Sequence, residues 1–497
     1  MEQLIRIHPA DNVAVAVSAL KQGETVTAAG KNIMVRQDIP AGHKMAIVPI
    51  AAGEDVIKYG FPIGQATVAV QPGEWMHTHN VKSKLGDLLE YRYEPQKAPV
   101  WQPTEDRVHT FQGYERRDGR VGIRNEVWII PTVGCVNAIA REIERRAQAF
   151  AGPHVDGIYA YSHPYGCSQL GDDLRYTQKF LAGLAHNPNA GGVLLLGLGC
   201  ENNKMDAMRQ LLTGVDEAGI KFLICQDAED EVEEGVRLVK ELAAHAAETK
   251  RTTQPLAKLC IGVKCGGSDG FSGLTANPLV GSVVNRVTAA GGTALLTEVP
   301  EMFGAETLLM NRCRNEAVFQ KTVHLINGFK TYFQKHGEKI NENPSPGNKA
   351  GGITTLEDKS LGCVQKGGIA PVEDVLLYGE SVKEKGLSLL QAPGNDLVSS
   401  NALAASGAQM VLFTTGRGTP FSCPVPTLKI ASNSRLASFK ADWIDFNAGR
   451  LLSGESMEAL SEEFLQFILT VASGTCHTKS EALDKHELAI FKDGVTL

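Results

Sequence analysis

The strongest constraint on the fold is a series of unbroken apolar runs, each closing on a glycine-rich or polar turn: "EVWIIPTVGC", "GGVLLLGLGC", "KFLICQ", "KLCIGVKCGG", "GTALLTEV" and "QMVLFTTGRG". A strand with one wet face alternates apolar and polar residues, whereas an unbroken run needs cover on both faces. Helical spacing between or after the runs offers that cover. "NAIAREIERRAQAF" sets Ile139, Ile143, Ala147 and Phe150 along a helical face, and residues 229–249 and 457–472 read the same way. Such strands alternating with helices predict an α/β region with mainly parallel, Rossmann-like sheets.

The first hundred residues follow a different rule. An apolar–x–x–Gly–x–x–apolar unit recurs at Leu20/Gly23/Val26, Ile39/Gly42/Met45, Ile50/Gly53/Val56 and Val70/Gly73/Met76. Short apolar segments punctuated by glycine read as hairpins of a small all-β unit. The last unit runs into "GEWMHTHN", where a strand would set His77 and His79 on one face as a two-pronged claw. The polar stretch "YEPQKAPVWQPTEDRVHTFQ" reads as a linker and "NENPSPGNKAGGITT" as a second. The expected organisation is a β domain over 1–95, a linker over 96–112, an α/β lobe over 113–345 and a C-terminal α/β lobe over 346–497.

Charge narrows the partners. The net charge is −7 with acids and bases interspersed, so no basic block invites nucleic acid, and no apolar run approaches a membrane span. "MEQLIRIHPADNVAVAV" lacks the features of a secretory signal, and the expected location is cytoplasmic. In that setting ten cysteines without a CxxC pair argue against both a disulfide framework and a zinc ribbon.

In open α/β sheets, ligands bind where loops leave the carboxyl ends of the strands. Those ends carry Gly134–Cys135, "YSHPYGCSQ" with His163 and Cys167, and "GLGCENN" with Cys200 and Glu201. Further ends carry "KCGGSDGFSG" with Lys264, Cys265, Ser268 and Asp269, "TEVPE" with Glu298 and Glu301, and "TTGRGTP" with Thr415 and Arg417. Backbone N–H groups of "CGGSDG" together with the Arg417 guanidinium suit a carboxylate or phosphate on the ligand. "GLGCEN" lacks the third glycine of a dinucleotide loop and no GxxxxGK[ST] occurs, which disfavours hydride transfer and ATP use.

Longer motifs are more specific. "GHKMAI", "KYGFPIGQAT" and "GEWMHTHN" resemble the SAF (β-clip) domain. "GYERRDGRVGIRN", "SHPYGCSQLGDD", "GLGCENN", "KCGGSDGFSGLTANP", "NPSPGNKAGG" and "FTTGRGTP" resemble the altronate/galactarate dehydratase family, from Ile5 to the C-terminus. The resemblance implies a hydro-lyase using Fe2+, with Mn2+ as a substitute, that turns D-altronate into 2-dehydro-3-deoxy-D-gluconate in hexuronate (galacturonate) breakdown. Galactarate, or a sulfolactate in a neighbouring branch, is the alternative substrate, and a non-catalytic sugar-acid-binding protein is the alternative of another class. The expected partners are the sugar acid and a second copy of the chain in a dimer.

For that chemistry His77 and His79 are candidate metal ligands or substrate contacts, Glu298 and Glu301 would complete the ligand set, and His163, with Lys264 or Lys349 as alternates, would carry the proton. Ser268, Asp269, Thr415, Arg417 and His43 would hold the sugar acid. A mononuclear ion and an iron–sulfur cluster stay open, since thiols from Cys135, Cys167, Cys200 and Cys265 could ligate a cluster that leaves one iron exposed.

Overall fold

The computed structural model describes residues 3–86, 88–96, 108–214, 216–483 and 486–493. As expected, antiparallel β sheets come first and an α/β region with parallel sheets follows. In the N-terminal domain, Leu4–Ile5, Val13–Ala16, Lys44–Ala46 and Trp75–Met76 form one antiparallel sheet, and Asp55–Lys58, Phe61–Ala66 and Val81–Lys82 another. The glycine repeat explains their pairing. The leading apolar residues of the four units meet as isolated bridges, Leu20 with Ile39 and Ile50 with Val70. At Gly73 the turn needs φ +91°, and a β-carbon there would land on the Met34 carbonyl oxygen.

Four parallel strands, in the order Gly157–Ala160, Glu126–Pro131, Ala190–Gly197, Ile220–Ile224, form the middle domain. Helices Asn137–Ala147 and Glu231–Ala246 cover one face through Ile143, Ala147, Val239 and Leu242. The chain enters and leaves this domain through neighbouring antiparallel strands, Thr110–Glu115 and Arg251–Pro255. Residues 97–107 of the expected linker lie outside the described residues, and Thr110–Gln112 at its end are strand.

The third domain is a seven-stranded parallel sheet in the order Val372–Leu376, Gly386–Leu390, Thr293–Leu296, Cys260–Cys265, Met410–Thr415, Thr427–Ala431, Phe446–Asn447. Its strands come from both sides of residue 345, which corrects the lobe boundary placed at 345/346. The segment read as a second linker carries instead a short helix, Pro346–Ala350, closed by a capping box between Ser345 and Asn348. Helices Ala276–Ala289 and Met457–Ala472 pack on one face of the sheet with Val283, Val284, Phe464 and Ile468. On the other face Asp396–Ala405 packs against Gly171–Ala185 of the middle domain, so the two sheets share one apolar core. No helix among the described residues is long and apolar enough to cross a membrane.

Candidate active site

In the seven-stranded sheet, Cys260–Cys265 is the first strand laid down. The chain builds to one side of it and then crosses to Met410–Thr415 on the other, so the switch point lies at the end of Cys260–Cys265. Val263 pairs with Leu296, which puts Cys265 level with Glu298. Glu298 holds a left-handed backbone (φ +68°), uncommon away from glycine. In that position its carboxylate accepts from the Cys265 N–H at 3.0 Å and pairs with Lys264 at 2.7 Å and Lys366 at 3.1 Å. Opposite, Thr355 caps helix Leu356–Cys363, which carries Asp358, Lys359 and Cys363, and the following turn carries Lys366.

These elements close around one compact group. Both thiols contact the same Glu301 carboxylate oxygen, Cys265 at 3.2 Å and Cys363 at 3.2 Å, and stand 3.4 Å apart. Lys366 Nζ lies 3.0 Å from Cys265 Sγ, Lys359 lies 2.8 Å from Glu301, and Lys264 reaches Asp396 at 2.9 Å. Three ammonium groups thus balance three carboxylates, of which Glu298 and Glu301 are buried and Asp396 is partly exposed. Burial works against the charge of Lys264, yet Glu298 and Asp396 hold its pKa above the usual lysine value. Burial opposes Lys366 and Lys359 too, while Cys265 and Glu298 beside the first, and Glu301 and Cys363 beside the second, hold them protonated. Burial would lift the Glu301 carboxyl, but Lys359 and Lys366 bring it down to about 2. Contact with Cys265, then burial, push the Cys363 thiol well up.

Among the described residues, Cys265, Glu301 and Cys363 are the set whose three ligand atoms fall within 4.8 Å of one another. Bound as thiolates, the two sulfurs would offset both charges of a divalent cation. Two sulfurs and one carboxylate oxygen suit iron(II) better than manganese(II). The set can therefore hold a metal.

The N-terminal domain seals the group from above. Asp358 accepts both Lys44, at 2.8 Å, and Lys58, at 3.0 Å, and Thr355 donates to the Ile63 carbonyl. Ser83 and the Lys84 N–H bind Glu357 at 3.0 and 2.7 Å. A cavity of about 10 Å³ bordered by Lys58, Tyr59, Asp269, Lys359 and Cys363 remains, room for about one water. The side nearest solvent runs past Asn343, Gly394, Asp396 and Arg417.

Several expected roles change. Trp75–Met76 ends before His77, and residues 77–80 form a turn held by the Asn80 side chain on the His77 N–H. The alternation that would align the claw is lost: His77 is buried against Thr354 at 3.2 Å and His79 is exposed. Neither belongs to the three-ligand set. Burial, then Lys44, hold His77 neutral with a pKa of about 4. His43 accepts from the Trp75 indole N–H and so donates its other nitrogen to the Ala350 carbonyl, a docking contact.

His163 sits in the middle domain. One ring nitrogen donates to the Pro131 carbonyl at 2.7 Å and the other accepts from the Tyr165 N–H at 3.2 Å, leaving neither for proton transfer. Asp269 is spent tying its loop to the one after Thr427–Ala431, accepting from Ser272, Ser432, Asn433 and the Phe271 N–H. Thr415 accepts from the Gly418 N–H and shapes the turn bearing exposed Arg417. Lys349 is half-buried on the short helix, and the buried Ser268 hydroxyl has no partner. Cys135, Cys167 and Cys200 are exposed in the middle domain, apart from Cys265.

Residues 2–84 match the family described as "Altronate/galactarate dehydratase SAF domain", residues 113–247 "D-galactarate dehydratase/Altronate hydrolase, second domain", and residues 256–496 "D-galactarate/Altronate dehydratase, C-terminal". The chain is 52% identical over 497 residues to an altronate dehydratase of Escherichia coli (strain K12), covering 100% of both chains. The chain belongs to the altronate/galactarate dehydratase family. Within the family it is also 52% identical over 500 residues to an altronate dehydratase of Bacillus subtilis (strain 168), again covering 100% of both. It is 33% identical over 509 residues to a galactarate dehydratase (L-threo-forming) of Escherichia coli (strain K12), covering 98% of this chain and 96% of that one.

Lys359 and Cys363 lie on a helix and Lys366 on the turn after it, so an inventory of strand ends does not contain them. A signal was present in "LEDKSLGCVQKGG", where these three recur at i, i+4 and i+7 along one helical line.

Proposed function

We propose that the chain dehydrates D-altronate to 2-dehydro-3-deoxy-D-gluconate. The observation that carries this reading is 52% identity across the full length of two altronate dehydratases, against 33% for the galactarate enzyme. The reaction takes the proton from the carbon bearing the 2-hydroxyl and expels the 3-hydroxyl. The neighbouring carboxylate is already anionic, so the site must stabilise a second negative charge. Lys264 and Lys366, held as ammonium ions, offer fixed positive charge and are poor bases. Lys359, also protonated, offers a charged hydrogen bond to the leaving hydroxyl.

Proton abstraction we assign to Asp396, whose side chain is 33% exposed while those of Glu298 and Glu301 are 0% and 4% exposed. We assign the carboxylate of the sugar acid to Arg417 and one of its hydroxyls to Ser268, whose own hydroxyl has no partner. Iron(II) on Cys265, Glu301 and Cys363 would add Lewis-acid stabilisation of the same developing charge.

The test is anaerobic turnover with iron(II) on D-altronate and on galactarate, read as 2-keto-3-deoxy acid. Altronate should turn over at least about 100-fold faster, and equal rates or an inert altronate would overturn the substrate. Asp396→Asn should lower kcat with little change in KM.

A further inference from the structure

We infer that Cys135, Cys167 and Cys200 form the binding site of an iron–sulfur cluster at the switch point of the four-stranded sheet. Glu126–Pro131 is that sheet's first strand, flanked by Gly157–Ala160 on one side and Ala190–Gly197 on the other. Pro131 pairs with Leu196, so Cys135 and Cys200 each follow paired positions by the same number of residues. Adjacent strands run about 4.8 Å apart, which brings both loops to one spot on the edge.

The third loop is stitched to the other two. The Gly134 N–H donates to the Tyr165 carbonyl at 2.8 Å, the Asn203 N–H to the Gly166 carbonyl at 3.1 Å, and the Ser168 N–H to the Asn202 side chain at 2.7 Å. Each thiol directly follows a glycine, as Gly134–Cys135, Gly166–Cys167 and Gly199–Cys200. For Gly134 and Gly166 the reason is contact between the loops: a β-carbon would meet the His163 carbonyl at Gly134 and the Thr132 carbonyl at Gly166. Asn203, buried between Thr132 and Gly166, keeps a side-chain oxygen without a partner.

Exposure separates these thiols from the rest. A free cysteine ordinarily packs as a small apolar residue, and six of the ten here are buried. The three exposed ones all lie on this edge. Their sulfurs do not all fall within 4.8 Å of one another, as the ligand atoms of Cys265, Glu301 and Cys363 do among the described residues. Thiolates sharing one tetrahedral ion would stand about 3.8 Å apart, whereas a cubane takes one thiolate per iron and spreads them wider. Three thiolates leave the fourth iron of a [4Fe–4S] cluster open to an oxygen donor. The site is separate from the buried group and does not depend on which sugar acid is turned over.

The test is cluster transfer. Protein handled without oxygen is mixed with a preformed, thiolate-ligated [4Fe–4S] cluster, so each cysteine thiol passes its proton to a departing thiolate and no oxidant or reductant is needed. After desalting, iron and acid-labile sulfide are counted. The wild type and Cys476→Ser, which removes the half-buried thiol elsewhere, should retain about four of each per chain with the brown absorption of a cubane. Cys135→Ser, Cys167→Ser and Cys200→Ser should each retain less than about one-tenth of that, with unchanged circular dichroism. A wild type that binds no sulfide, or wild-type retention in any of the three variants, overturns the assignment.

Discussion

The two parallel sheets repeat one architectural idea and treat it in opposite ways. Each starts with a central strand, builds to one side and crosses to the other, and each gathers reactive side chains at the resulting switch point. In the seven-stranded sheet that edge is sealed beneath the N-terminal domain, and its charges are paired in a closed interior. In the four-stranded sheet the edge is open and its thiols face solvent. Topology selects the place, and what lies over it selects the chemistry, because ammonium and carboxylate groups act far more strongly where water is excluded.

The hardest blow to the sealed edge is Glu301→Gln. It leaves the Lys359 ammonium buried without its carboxylate, at a cost of about 3–5 kcal/mol, and turnover should fall at least about 1,000-fold. Adding Lys359→Met should restore most of the thermal midpoint and none of the turnover. A fully active double variant would reduce the group to a structural ion cluster.

Next is the cover itself. Asp358→Asn strips the carboxylate from both Lys44 and Lys58, again about 3–5 kcal/mol, but spent at the interface. Hydrogen exchange should quicken over 350–358 while the middle-domain amides stay protected. Acid should act on the same contact. Burial would raise the Asp358 carboxyl, yet Lys44 and Lys58 hold it well below its usual value. Its contribution is complete above about pH 4, the ordinary carboxyl range, and is lost as the pH falls from there. Uniform exchange in the variant would mean that the domain is not held by this carboxylate.

A smaller effect touches both regions. Burial lowers the pKa of His77 and of His163 from 6.5 to about 4. Each favours the folded state when neutral, so its contribution is complete above pH 6.5 and lost as the pH falls toward 4. The thermal midpoint should decline through that window, less steeply in His77→Gln and in His163→Gln. Parallel curves in all three proteins would show that neither imidazole is coupled to folding.

The smallest change is to chemistry at the middle domain. With both ring nitrogens of His163 bound to backbone, His163→Gln should keep turnover within about threefold. A loss beyond about 100-fold would return this histidine to acid–base catalysis.

Much of the fold was legible because it is local. Unbroken apolar runs marked both parallel sheets, and the glycine units marked the β domain down to the residues that bridge it, Leu20 with Ile39 and Ile50 with Val70. Of the site, Lys264, Cys265, Glu298 and Glu301 could be read as strand-end residues. The claw at His77 and His79 failed for a local reason too. The i, i+2 rule holds only within a strand, and the Asn80 side chain turns the chain one residue too early.

The sequence by itself determined the periodicities, the turns and the positions where polar groups leave the sheets, since each depends on neighbours a few residues away. Only the tertiary structure decided which of those groups meet. Lys359, Cys363 and Lys366 reach Cys265, Glu298 and Glu301 from a distant helix, and Lys44 and Lys58 reach Asp358 from another domain. No local spacing encodes such partners. A buried charge must find its counter-charge wherever folding brings one within about 3 Å, or pay the full cost of leaving water.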